Sequence, residues 1–177
     1  MSTITKNSTA LMRAKEALVT FADMSAAFRV EGGQLICLTR YGTRPAGSPV
    51  GRVHDDGYIR VRFGGRSWNA HRVIWLLTHR EWPSSYLDHK DGCRTNNHPT
   101  NLRPCTNSDN QRNSKARGKL GLKGVVCLPR GRFQAEIGKT YLGSFATPEE
   151  AGRVYDLVAS CLYGEFARLN FASGATA

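Results

Sequence analysis

The chain has 177 residues, enough for one ordinary domain or two small ones, and its 40% hydrophobic fraction supplies real cores and excludes wholesale disorder. Lysine and arginine number 25 against 14 aspartates and glutamates, so the net charge of +11 favours polyanionic partners. No apolar run approaches the ~20 residues of a membrane span and no secretory core opens the chain, so no membrane partner and a cytoplasmic location are expected.

Residues 1–49 read as an N-terminal helix followed by a strand and a loop. After a frayed polar lead, the segment from Thr9 to Phe28 has Leu11, Leu18, Phe21 and Met24 at roughly helical spacing and predicts one helix. "GGQLICLTR" then suggests a strand, and the Gly/Pro-rich "YGTRPAGSPVG" a loop. From Tyr58 to Phe63 the pattern is a strand, Gly64-Gly65 turns it, and Arg66 to Asn69 returns. Ala70, Val73, Ile74 and Leu77 give a helical stripe that Pro83 must stop.

Next comes "DHKDGCRTNNHPTNLRPCTNSDNQRN", Asp88 to Asn113, with asparagines at 96, 97, 101, 107 and 110. Asparagine belongs in turns and caps, so such a run is ordinarily a loop and an Asp-His pair ordinarily a surface pair. Three features point elsewhere. Asp88 can ligate a hard divalent cation while His89 beside it can act as a base near neutral pH. Asn101 follows His89 by twelve residues, and Asn110 follows Asp88 by twenty-two. The run also reads as a turn or strand feeding a short helix near Asn107 or Ser108. The five cysteines, at 37, 93, 105, 127 and 161, are odd in number, scattered and without a Cys-x-x-Cys pair, which argues against a disulfide framework and a zinc ribbon.

Residues 112–139 carry eight basic side chains against Glu136 alone, so the electrostatic footprint lies in the middle of the chain. "GVVCLP", "RFQAEI" and "YLGSF" are three short strands separated by glycine-containing turns. Thr147-Pro148-Glu149-Glu150 then opens a helix with a capping box and proline at its first position. Ala151, Val154, Tyr155, Val158 and Leu162 form its expected buried stripe, with Gly164 as the stop. In the second strand Arg132, Gln134 and Glu136 alternate with Phe133, Ala135 and Ile137, giving one polar and one apolar face. Long polar side chains on a sheet face suit phosphates and base edges.

The run from Leu87 to Asn113, with "AHRVIWLLTHREWP" as its lead-in helix, resembles the ββα-metal motif of HNH endonucleases, in the phage and homing branch whose last ligand is Asn. The resemblance covers residues 50–113. It implies that Asp88 and Asn110 ligate the metal, that His89 is the general base, and that Asn101 braces the loop holding the histidine. His71 falls where the family often supports the site. An all-oxygen donor set suits Mg²⁺ or Mn²⁺, and the resemblance implies products with a 5′-phosphate and a 3′-hydroxyl. Asn96 and Asn97 read as turn residues, and His79 and His98 as surface or capping residues.

Residues 121–171 resemble the plant Apetala-Two/ethylene-response-factor DNA-binding domain. The agreement runs through Lys-Gly-Val, Ala-Glu-Ile, Tyr-Leu-Gly-Ser-Phe, Thr-x-Glu-Glu-Ala, Ala-x-x-x-Tyr-Asp and the closing Leu-Asn-Phe. Lys123, Arg130, Glu136, Lys139 and Tyr141 fall at DNA-contacting positions of that family, and Arg132 and Gln134 join them on the polar face. Val126, Leu128 and Gly138 replace family arginines, which separates this chain from the plant sequence preference.

The expected fold is therefore α+β: an HNH module at 50–113, a basic link at 114–120, a three-stranded antiparallel sheet packed on one helix at 121–171, and a tail at 172–177. The expected function is a metal-dependent endodeoxyribonuclease that nicks or cuts double-stranded DNA as a monomer or weak homodimer, in a host cytoplasm if phage-encoded. The alternatives are a non-cleaving, regulatory DNA-binding protein with an inactive HNH module, and a nuclease acting on RNA.

Overall fold

In the computed structural model, which describes residues 3–116 and 118–171, the N-terminal apolar stripe forms two helices rather than the single one expected. Helix α1 spans Thr3–Glu16 and α2 spans Phe21–Ala27. The break is a capping box: the Thr20 hydroxyl accepts from the Asp23 amide, and the Asp23 carboxylate accepts the Thr20 amide at 2.7 Å. That reciprocal cap starts a fresh helix inside continuous apolar periodicity. Consequently Leu11 and Leu18 are 75% and 62% exposed, and of the expected stripe Met24 alone is fully buried.

The chain divides into two units, one up to Pro104 and one from Cys105, and both fit the expected α+β class. In the first, β1 (Phe28–Glu31), β2 (Gln34–Cys37) and β3 (Pro49–Val50) form one antiparallel sheet in that order. A second sheet holds β4 (Arg52–Val53), β5 (Ile59–Phe63) and β6 (Arg66–Asn69), with Val61 opposite Trp68 across the Gly64-Gly65 hairpin. Helix α3 (Ala70–His79) packs on both sheets, burying Val73, Ile74 and Leu76 against Met24, Leu35 and Val61. It ends at Arg80 in left-handed backbone, three residues before Pro83. Strands β7 (Tyr86–His89) and β8 (Leu102–Cys105) then pair as a two-stranded ribbon.

Two polar residues of α3 are buried. Arg72 binds the last residue of α1 through Nη2 to Glu16 Oε2 at 2.9 Å, and its remaining donors reach the Ser85 and Pro83 carbonyls at 3.0 and 3.1 Å. Each guanidinium nitrogen is thus hydrogen-bonded, as a buried charge requires. His71 lies beside it with Nδ1 meeting no hydrogen-bond partner among the described residues. Burial, with His89 and Arg72 adding to it, lowers its pKa to about 3.

Gly33, at the β1–β2 turn, has φ +80°, and a Cβ there would come within 2.5 Å of the His98 amide nitrogen. The hairpin tip therefore rests directly on the backbone of the Asn97–His98 segment.

In the second unit, α4 (Asn107–Arg112) comes first, starting where the sequence places a short helix. Strands β9 (Val125–Cys127), β10 (Phe133–Ile137) and β11 (Thr140–Phe145) form an antiparallel meander with β10 central and a bulge after Ala135. Helix α5 (Pro148–Tyr163) carries the expected Thr147/Glu150 capping box and stops at Gly164. Its buried residues are Ala151, Gly152, Tyr155 and Ala159, with Val154 and Val158 partly buried, while Leu162 is exposed. The helix sits close because small residues meet across the interface, Ala151 facing Ala135 and Val125. Gly124 permits the same closeness at the sheet edge, where a Cβ would collide with the Tyr155 ring. No helix among the described residues is long and apolar enough to cross a membrane.

Replacing Glu16 with Ala leaves Arg72 buried without its anion, and urea denaturation should show a loss of about 3 kcal/mol. The His71 shift fixes a pH dependence as well. Its folded pKa lies below the ordinary 6.5, so on acidification the unfolded chain takes up the extra proton. The stability of the neutral ring is whole above pH 6.5 and is lost as pH falls from there toward 3, by about 1.4 kcal/mol for each unit. In His71→Phe that part of the slope, read by urea titrations between pH 7 and pH 5, should vanish.

Candidate active site and nucleic-acid interface

Strand β7 delivers Asp88 and His89 side by side, and both are buried. The loop that follows is tied together by polar groups. Asn101, closing the 3-10 turn Pro99–Asn101, accepts the Asp91 amide on Oδ1 at 3.2 Å and donates Nδ2 to Asp91 Oδ1 at 3.0 Å and to the Asn96 carbonyl at 2.8 Å. Its carbonyl also accepts the Lys90 amide at 2.9 Å. Asp91 is the opposite pole, taking the Cys93 amide at 2.7 Å and Asn96 Nδ2 at 2.7 Å. Burial pushes the Asp91 carboxyl up, but the Cys93, Asn96 and Asn101 hydrogen bonds outweigh it and hold the pKa below its ordinary value.

Within that loop Asn97 is 2% exposed and places Oδ1 2.9 Å from His89 Nε2. An amide oxygen can only accept, so Nε2 carries a proton, and in the neutral form of the ring the lone pair lies on Nδ1. The imidazole is packed by rings: His71 meets it edge-on at 5.3 Å, Tyr58 lies 6.0 Å away, and the exposed Arg94 covers Tyr58 at 5.0 Å. His71 thus reaches the site as a neutral packing partner. Asp88 forms a buried pair with Arg103, whose Nε and Nη2 both meet Oδ2, at 3.0 and 2.8 Å. Sequence reading assigned Asn97 to a turn and gave Arg103 no role. Nothing in the string separates Asn97 from Asn96 beside it, and only the burial of both Leu102 and Arg103 in β8 exposes the pair with Asp88.

Asn110 stands half-buried on α4, in the second unit, whereas Asp88, His89 and Asn101 belong to the first. A carboxylate and an amide oxygen make a hard donor pair that suits Mg²⁺ or Mn²⁺. Among the described residues no group of three His, Cys, Asp or Glu side chains could hold a metal ion.

On β10 the expected alternation is observed: Ala135 and Ile137 are buried toward α5, while Arg132, Gln134 and Glu136 line the other face. Arg132 grips Ser144 through Nε to Oγ at 3.1 Å and Nη2 to the carbonyl at 2.6 Å, and Gln134 Nε2 reaches Glu136 Oε2 at 3.1 Å. Tyr141, opposite Glu136, is 60% exposed, and Lys139 and Arg130 are exposed, Arg130 in left-handed backbone. Lys123 is placed differently: its ammonium faces the carbonyls of Gln111, Arg112 and Ser114.

The HNH endonuclease family model matches residues 69–112. An uncharacterised HNH endonuclease of Acanthamoeba polyphaga mimivirus is 33% identical over 106 residues, covering 56% of this chain and 56% of its own length. The ethylene-responsive transcription factor ERN2 of Medicago truncatula is 42% identical over 66 residues, and dehydration-responsive element-binding protein 2E of Arabidopsis thaliana 48% over 76. The chain spans about half the length of the mimivirus relative, 21% of the first plant protein and 31% of the second. Residues 69–112 therefore match the HNH endonuclease family, and the chain also carries a segment similar to the plant ethylene-response-factor proteins.

Proposed function

We propose that the protein is a metal-dependent DNA endonuclease of the phage or homing HNH type that breaks one phosphodiester strand at a time. The observation that carries the reading is His89 itself, a buried imidazole whose Nε2 is fixed 2.9 Å from the Asn97 amide oxygen. That geometry puts the lone pair on Nδ1, which takes a proton from the attacking water. The water oxygen bonds to phosphorus, the bond to the 3′ oxygen breaks, and that oxygen takes a proton from solvent, leaving a 5′-phosphate and a 3′-hydroxyl. Asn101 keeps the loop after His89 in register through Asp91 and Asn96. Asp88 and Asn110 would hold Mg²⁺ or Mn²⁺, which supplies charge stabilisation at the scissile phosphate.

The outward face of the second unit, with Arg130, Arg132, Gln134, Glu136, Lys139 and Tyr141, contacts double-stranded DNA and positions the module. With one site per chain a monomer nicks, and a double-strand break requires two sites. The Asp88–Arg103 pair favours a second reading, a DNA-binding protein that does not cut, because a carboxylate neutralised by a guanidinium is a weaker cation ligand.

A supercoiled-plasmid nicking assay with Mg²⁺, Mn²⁺ or EDTA separates the two readings. Metal-dependent nicked circles are expected, and His89→Ala should slow their appearance by at least about a hundredfold while leaving DNA retardation in place. Retardation without metal-dependent nicks, on genomic DNA as well as plasmid, would establish the second reading instead. Asn97→Leu should lower the nicking rate without moving the metal requirement, whereas Asp88→Ala and Asn110→Ala should raise the metal concentration needed. Full activity at the original concentration in both would remove the ligand assignment.

A further inference from the structure

We propose that Lys123, Asn170 and Tyr163 are positioning residues for Asn110, so that contacts inside the second unit set how well Asn110 is held for a metal ion. The inference rests on the reading of Asn110 as a metal ligand. Helix α4 has six residues, and a helix so short does not persist by itself. Apolar packing does not hold it either, because none of its six described residues is buried. A cleft of about 340 Å³, lined by Ser108, Gln111, Glu136 and Tyr155 among others, separates it from the sheet.

Its two ends are held by polar contacts. At the start, Thr106 and Asp109 form a capping box, with the Thr106 hydroxyl donating to Asp109 Oδ2 at 2.6 Å. At the end, Lys123 Nζ donates to the Gln111 carbonyl at 3.2 Å, the Ser114 carbonyl at 2.9 Å and the Arg112 carbonyl. An ammonium has three donors, and here each has a carbonyl within reach. A cation at a helix C-terminus also meets the negative end of the dipole. Arg112 adds a second attachment, stacking its guanidinium 4.6 Å from the centre of the Tyr163 ring on α5.

Lys123 is itself fixed. Its amide donates to Asn170 Oδ1 at 2.6 Å and its carbonyl accepts Asn170 Nδ2 at 3.0 Å. The Asn170 amide in turn donates to Asp156 Oδ1 on α5 at 2.8 Å. A continuous run of hydrogen bonds therefore leads from α5 through Asn170 and Lys123 to the last turn of the helix that carries Asn110. A position that the plant resemblance gives as a DNA contact is, in this chain, the clamp on the helix that carries Asn110.

The test measures Mn²⁺ binding by the loss of its free-ion electron paramagnetic resonance signal. It uses full-length His89→Ala protein, which blocks cleavage, bound to a random-sequence duplex. Adding Lys123→Met should weaken Mn²⁺ binding about tenfold, the scale on which outer supports of metal ligands act. Lys123→Arg should restore most of the affinity, because it returns a cation to the helix end. DNA affinity in EDTA and its salt slope should be the same in Lys123→Met as in its parent. Unchanged Mn²⁺ binding, with or without a salt slope reduced by about one contact, would overturn the proposal, and the reduced slope would make Lys123 a phosphate contact. Asn110→Ala in the same background tests the ligand assignment separately. Should it leave Mn²⁺ binding intact, that assignment falls, and amide exchange at residues 107–113 then judges the clamp alone: faster in Lys123→Met supports it, unchanged refutes it.

Discussion

One hydrogen bond, from His89 Nε2 to the amide oxygen of Asn97, sets the terms for the whole first unit. A buried imidazole needs a partner that fixes its tautomer, and that partner here comes from a loop of glycine, asparagine and short polar residues with little apolar surface of its own. Such a loop stays in place only if its polar groups satisfy one another. Asn101 and Asp91 do this as a pair, spanning the loop from both ends and drawing in Asn96 and Cys93. The density of asparagine follows from that need, since each amide gives a donor and an acceptor on a short stem.

Much of this was legible beforehand, for identifiable reasons. Strand alternation in β10, the Gly-Gly hairpin before β6 and the Thr147 capping box are local signals, and each held its place. Asp88, His89, Asn101 and Asn110 were singled out through spacing and a resemblance, and the structure adds where they stand: three in the first unit and Asn110 in the second. The misses have more than one origin. Asn97 and Arg103 gain meaning only from burial against residues eight or more positions away, which no local pattern encodes. The Glu16–Arg72 pair joins residues 56 apart, beyond any periodicity argument. The break between α1 and α2 was encoded locally, in Thr20 and Asp23, but continuous apolar spacing masked it. Leu162 followed the helical period and is nevertheless exposed, because the contact face of α5 is narrowed to small residues by its close approach to the sheet.

Polar attachment recurs in the second unit with a different purpose. The sheet and α5 share an apolar contact built on Ala135, Ala151 and Ala159, whereas α4 is joined through carbonyls, an ammonium and a cation–aromatic stack. Packed apolar contacts resist sliding, and directional polar ones define an orientation. The residues that would face DNA and the helix bearing Asn110 thus lie in one unit.

The contact of Gly33 with the Asn97–His98 backbone changes what counts as the nuclease. The family match begins at residue 69 and the motif at Asp88, yet the surface on which the histidine-orienting loop rests is a hairpin tip some sixty residues earlier in the chain. A minimal catalytic fragment cut at residue 50 would lose that support together with Met24, Phe28 and Leu35 from the core. The N-terminal hairpin is a wall of the candidate site, supplied by a segment that contributes none of its four candidate residues.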